Sequence, residues 1–152
     1  MRRSSALNPP PSEPGRSAPT TLRTGRRVRS PDAMDGGLYV AVFHLRRPAV
    51  LTVGRLGQFA FAAGLYFYVG TAQRNLPARL ARHARRGKLL RWHVDYLSTR
   101  ARMLGAILIP GPRRRECEIA AKLACLMPRP VPRFGASDCR CEGHLFHAAQ
   151  WP

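Results

Sequence analysis

The sequence predicts an α+β domain, and three observations predict it. Short runs rich in β-branched and aromatic residues come first, at positions 38–43, 49–53, 58–61 and 64–70. Helical signals follow, interrupted by a single further apolar run, in the order helix, helix, strand, helix. No internal repeat breaks that order.

Positions 38–43 (LYVAVF) have the composition of a strand. Positions 49–53 and 58–61 are shorter strand candidates, separated by a Gly54-Arg55-Leu56-Gly57 turn, and 64–70 (GLYFYVG) reads as another strand. Asn75 can cap a helix, with Pro77 in its first turn. That helix is expected to run to about Arg86 and stop at Gly87, and a second is expected over 92–100. The apolar run 103–109 (MLGAILI) is a strand ended by Pro110-Gly111-Pro112. A third helix is expected over 113–126, closed by the proline-rich stretch 128–132. The chain then passes through a Cys- and His-rich loop to the apolar pair Leu145-Phe146. Residues 1–33 are rich in Arg, Ser, Pro and Thr and cannot bury enough surface to offset their ordering entropy. They read as a disordered basic tail, as a start codon placed too early ahead of Met34, or as an Arg- and Ser-rich transit peptide. The domain is assigned to residues 34–152.

The charge balance narrows the function. The chain carries 26 basic and 8 acidic residues in 152, a formal +18. A charge of that size attracts polyanions, nucleic acid first and an anionic membrane surface second. Of the 26 basic residues 24 are Arg. A GC-rich genome produces that skew by codon bias, so the deficit of acids is the better evidence. No apolar run reaches transmembrane length, and positions 1–33 lack the apolar stretch of a secretory signal. This points to the cytoplasm, to no membrane partner, and to cysteines that serve as thiols or metal ligands.

Several side chains can carry chemistry. Tyr39 opens the first strand and Tyr68 closes the later one; paired in a sheet, they place two phenols near each other, or else both are core aromatics. In the first helix Arg79, Arg82 and Arg86 recur at intervals of three and four and so share a face. His83 lies four residues after Arg79, and Leu76 and Leu80 are expected on the opposite stripe. With Arg74 just ahead of the helix, Arg82 and Arg86 form the expected nucleic-acid-binding set; the alternative is a solvated charged face. Glu116 and Glu118 gain weight because acids are few. One carboxylate in a phosphate-binding site is what a hard divalent cation needs, while the alternative is favourable placement at a helix N-terminus. His93 can act as base or metal ligand near neutral pH, or form a structural hydrogen-bonded pair with Asp95. Cys139, Cys141 and His144 make a Cys-x-Cys-x-x-His cluster to which Cys117 could add a fourth ligand. That donor set suits tetrahedral zinc, against thiols that merely pack in a loop.

Together and in order, these segments resemble a known family. Gly37-Leu38-Tyr39, Tyr68-Val69-Gly70, Arg79-Leu80-Ala81-Arg82-His83 and a glutamate in the third helix resemble the GIY-YIG nuclease signature. More closely, the chain resembles the Uri-type endonucleases, through Trp92-His93-Val94-Asp95-Tyr96-Leu97, Glu116-Cys117-Glu118, Phe134-Gly135-Ala136-Ser137-Asp138-Cys139, Cys141 and His144-Leu145-Phe146. The resemblance covers residues 36–147. It implies a central, mainly antiparallel sheet flanked by helices and a metal-dependent endonuclease acting on DNA, with branched or damaged DNA as candidate substrates. It implies that Arg79 stabilises charge on the phosphate and that Glu116, which matches the Glu-Cys pair, holds Mg²⁺ or Mn²⁺, with Glu118 the alternative. Tyr39 or Tyr68 orients or deprotonates the attacking water. His83 and His93 are separate candidates for the catalytic set, from the residues themselves. Two departures stand out. Tyr39 and Tyr68 lie 29 positions apart, farther than is usual, and the Asn expected near the end of the nuclease core has no counterpart. The alternatives are a nucleic-acid-binding module without catalysis and a zinc- or thiol-based regulatory protein.

Overall fold

The structure is a computed structural model, and it describes residues 34–150. The tail assigned to 1–33 lies outside the described residues. Six strands and three helices follow in the order β1 (Gly37–Leu45), β2 (Ala49–Thr52), β3 (Gln58–Phe61), β4 (Gly64–Ala72), α1 (Leu76–Ala84), α2 (His93–Ser98), β5 (Arg102–Ile109), α3 (Glu116–Ala124) and β6 (Leu145–Ala148). Four strands make one sheet in the order β5-β1-β4-β6, with every neighbouring pair antiparallel, and β2 and β3 form a separate hairpin. The α+β expectation holds.

The near-continuous apolar composition of β1 follows from burial on both faces. Side chains alternate across a strand, so Tyr39, Ala41, Phe43 and Leu45 join one core with Tyr66, Leu76, Leu97 and Phe134. Val40 and Val42 join the other, with Phe67, Val69, Ala120 and Phe146. The first core lies under α1, α2 and the β2–β3 hairpin; the second lies under α3. The candidate chemistry of β1 and β4 is therefore on the α1 side.

The helix boundaries differ from the sequence expectation. The first helix ends at Ala84, with Arg85 already extended, and there the Lys88 ammonium donates to the carbonyls of Arg82 (2.9 Å) and His83 (3.1 Å), taking up groups that a helix end leaves unsatisfied. Arg86 thus lies beyond the helix. The second helix is confined to His93–Ser98. In the third, Arg113–Arg115 form one turn of 3₁₀ helix, so Glu116 is the first α-helical residue. The expected opposite stripe of leucines is corrected: Leu76 and His83 are both buried, with Leu80 and Arg79 half-buried between them, so the leucines share the covered side of the helix with Arg79 and His83. No helix among the described residues is long and apolar enough to cross a membrane.

Candidate functional site

The site begins with the register of β1 on β4. Tyr39 sits opposite Gly70, and Tyr68 opposite Ala41. Tyr68 is two residues from Gly70, so both phenols project from the same face, with ring centroids 6.4 Å apart. Gly70 is required by close approach: a Cβ there would lie 2.5 Å from both Cζ and Oη of Tyr39. Gly135 closes over the second ring. Its φ of +73° suits glycine, and a Cβ would lie 2.7 Å from Tyr68 Cε2.

α1 adds Arg79 and, one turn later, His83. The His83 Nε2 lies 2.8 Å from the Tyr39 hydroxyl. Burial, helped by the Lys88 cation, lowers His83 to a pKa of about 4, so its imidazole is neutral. Its Nδ1 is buried without a partner among the described residues. Burial pushes the Tyr39 phenol well above its ordinary range; Arg79 opposes the shift and the Glu116 carboxylate adds to it. Tyr68 is raised in the same way, by burial first and then by Tyr39 and Glu116. Both phenols are therefore protonated O–H groups at neutral pH.

Arg79 is held by an aromatic platform. Its guanidinium carbon is 4.6 Å from the Trp92 ring centroid, and that of Arg82 is 4.2 Å from the same ring. Arg82 also donates twice to Asp95, at 2.7 and 2.9 Å. Asp95 is fully buried and further accepts from the backbone N–H of Arg91 (2.8 Å) and Trp92 (2.9 Å). Burial alone would raise its carboxyl, but these donors win and hold it below the usual carboxylate range. Asp95 thus caps α2 and fixes Trp92 under Arg79. Arg86 donates to the carbonyls of Thr99 and Arg100, both at 3.2 Å. Of the three arginines expected to meet nucleic acid, Arg82 and Arg86 hold α2 in place, and Arg74 is exposed.

His93 and Asp95 do not pair with each other. His93 Nδ1 accepts from the Gly135 N–H at 3.0 Å, which places the proton of the neutral ring on Nε2; burial lowers the His93 pKa. The two glutamates separate. Glu118 is exposed and pairs with Arg115 at 3.6 Å, whereas Glu116 is largely covered and its Oε1 lies 2.9 Å from His144 Nδ1. Tyr39, Tyr68, Arg79, His83, His93 and Glu116 all line one cleft of about 530 Å³. Arg91, Trp92, Arg113 and Asp138 share its wall, with Arg113 and Asp138 ion-paired. The sequence reading did not single out Trp92 as a platform or Asp95 as its anchor. The available signal was a carboxylate three residues after Trp92, the spacing of an N-terminal capping interaction.

Beside the cleft, the ligating atoms of Cys117, Cys139, Cys141 and His144 lie within 4.8 Å of one another. The Cys117 thiol is pushed up to about 12 by its hydrogen bond with Cys141, by burial and by Cys139. Cys125 is exposed and stands apart from the group.

A family model described as "Domain of unknown function DUF123" matches residues 38–152. No curated protein and no solved structure matches the chain.

Proposed function

We infer that this chain, which belongs to the DUF123 family, is a metal-dependent endonuclease that hydrolyses phosphodiester bonds in DNA. One observation carries the reading: a guanidinium (Arg79), two phenols (Tyr39 and Tyr68) and a carboxylate (Glu116) come from four separate elements to one cleft, in a chain of formal charge +18. Arg79 binds the non-bridging oxygens of the scissile phosphate, where charge grows in the transition state. Trp92 holds that guanidinium in place, so little side-chain freedom is lost on binding. The Tyr68 and Tyr39 hydroxyls orient the attacking water, and the neutral His83 fixes the position of Tyr39. His93 offers Nε2–H as a further donor.

The cleft fits a hard divalent cation in one respect. Glu116 supplies a carboxylate, and Mg²⁺ is commonly held by only one or two carboxylates while keeping several waters. Such an ion, when bound, would neutralise charge on the leaving oxygen and favour the ionised water that protonated phenols cannot generate alone.

The test is incubation of the full chain with labelled duplex, single-stranded and branched DNA, with and without Mg²⁺ or Mn²⁺. Cation-dependent cleavage is expected, falling roughly 10²–10³-fold in Arg79→Ala with only modestly weaker binding. Binding without cleavage would identify the non-catalytic module instead. Parent cleavage rates in Arg79→Ala would sink the assignment of that residue.

A further inference from the structure

We propose that Cys117, Cys139, Cys141 and His144 hold a structural zinc ion that staples the first turn of α3 to the loop ahead of β6. The ligands come from distant positions. Cys117 is on α3, Cys139 and Cys141 are in the loop, and His144 directly precedes β6, yet their four ligating atoms converge within 4.8 Å. A tetrahedral ion with Zn–S near 2.3 Å and Zn–N near 2.0 Å sets neighbouring sulfurs about 3.8 Å apart and nitrogen about 3.5 Å from sulfur. The His144 Nε2 to Cys139 Sγ distance is 3.6 Å.

The tautomer of His144 is an independent pointer. This side chain is 1% exposed, and its Nδ1 lies 2.9 Å from Glu116 Oε1. A carboxylate can only accept, so Nδ1 carries the proton and Nε2 turns a lone pair toward the thiols. A carboxylate that orients a ligating imidazole in this way is the usual outer support of a zinc site. Thiols that merely pack would not need it, and disulfide pairing would strand one of the three sulfurs. Residues 137–142 contribute no buried side chain, so apolar packing does not hold this loop in place. Four protein ligands close the coordination shell, which marks the site as structural. The same geometry reaches the cleft. Glu116 lines both the large cavity and a smaller one of about 330 Å³ beside the thiols, so a zinc-bound His144 would hold one oxygen of the carboxylate that faces the cleft.

The proposal does not depend on the nuclease reading, and its test needs no DNA. The purified full chain should carry one zinc per molecule. Its Co²⁺-exchanged form should show thiolate charge-transfer absorption and the intense visible bands of a tetrahedral site. Cys141→Ser should lose the metal, while Cys125→Ser, which alters the cysteine outside the group, should keep one equivalent. Glu116→Ala retains all four ligands and should still bind zinc, but roughly 10–100-fold more weakly in competition with a chromogenic chelator. A zinc-free chain with freely titrating thiols, or a disulfide within the cluster, would overturn the site. An unchanged affinity in Glu116→Ala would overturn the role given to Glu116.

Discussion

Replacing Gly70 by alanine tests the packing of the cleft most directly. The added Cβ would stand 2.5 Å from Tyr39 Cζ and Oη and 2.9 Å from Cε2. Comfortable carbon contacts need about 3.5–4.0 Å, so ring or strand must shift by roughly 1 Å. The ring has little room to yield, because Tyr39 is 1% exposed and bonded to His83 at 2.8 Å. Overpacking of this kind costs about 1–3 kcal/mol. Gly105→Ala is the matched control. It also replaces a strand glycine without positive φ, but there a Cβ meets nothing within 4 Å. Both substitutions reduce the freedom of the unfolded chain equally, a gain of about 0.4–1 kcal/mol, so their difference isolates the clash. Urea unfolding should place Gly70→Ala about 1–3 kcal/mol below Gly105→Ala, or some 4–12 °C lower in thermal midpoint for a domain of this size. Equal stability of the two variants would refute the reasoning. If the cleft is catalytic, a 1 Å displacement of the Tyr39 hydroxyl should also lower cleavage about 10²-fold.

Three further outcomes follow from the same geometry. Asp95 pairs with Arg82 at 2.7 Å and with Lys88 at 3.5 Å, so Asp95→Ala strips both cations of a buried partner and should cost about 3–5 kcal/mol in urea unfolding; a loss below about 1 kcal/mol would mean that Asp95 is not the anchor of Trp92. His83 has a folded pKa of about 4 against an ordinary 6.5, so between those values the unfolded chain binds more protons than the folded one. Stability should therefore fall as pH drops from about 6.5 toward 4, by up to about 1.4 kcal/mol per pH unit, and an unchanged slope in His83→Gln would remove His83 as the cause. Residues 34–152 carry 19 basic and 6 acidic residues, a formal +13, so DNA affinity should fall steeply with salt, by about 0.9 in logarithmic slope per neutralised phosphate; a flat titration would argue against nucleic acid as the partner.

Much of the fold was legible because its signals are local. β1 and β4 are buried on both faces, and such strands must be apolar nearly throughout, as 38–43 and 64–70 are. Arg79 and His83 lie one helical turn apart, so any helix there puts them on one side. The Cys-x-Cys-x-x-His spacing marked the thiol cluster, and the shortage of acids marked the basic surface. Charge, strand composition and helical spacing are properties of short stretches, and a sequence determines them by itself. Tertiary structure alone decided which charges stay available. Arg82 looked like Arg79 on the helix, but Asp95, 13 positions away, takes its guanidinium because Asp95 is buried and must be paired. Glu116 and Glu118 are two positions apart and chemically alike. Only the packing of α3 on the sheet turns Glu116 toward His144 and the cleft, and leaves Glu118 in water. Those choices depend on register and desolvation between segments far apart in the chain, which no local pattern encodes.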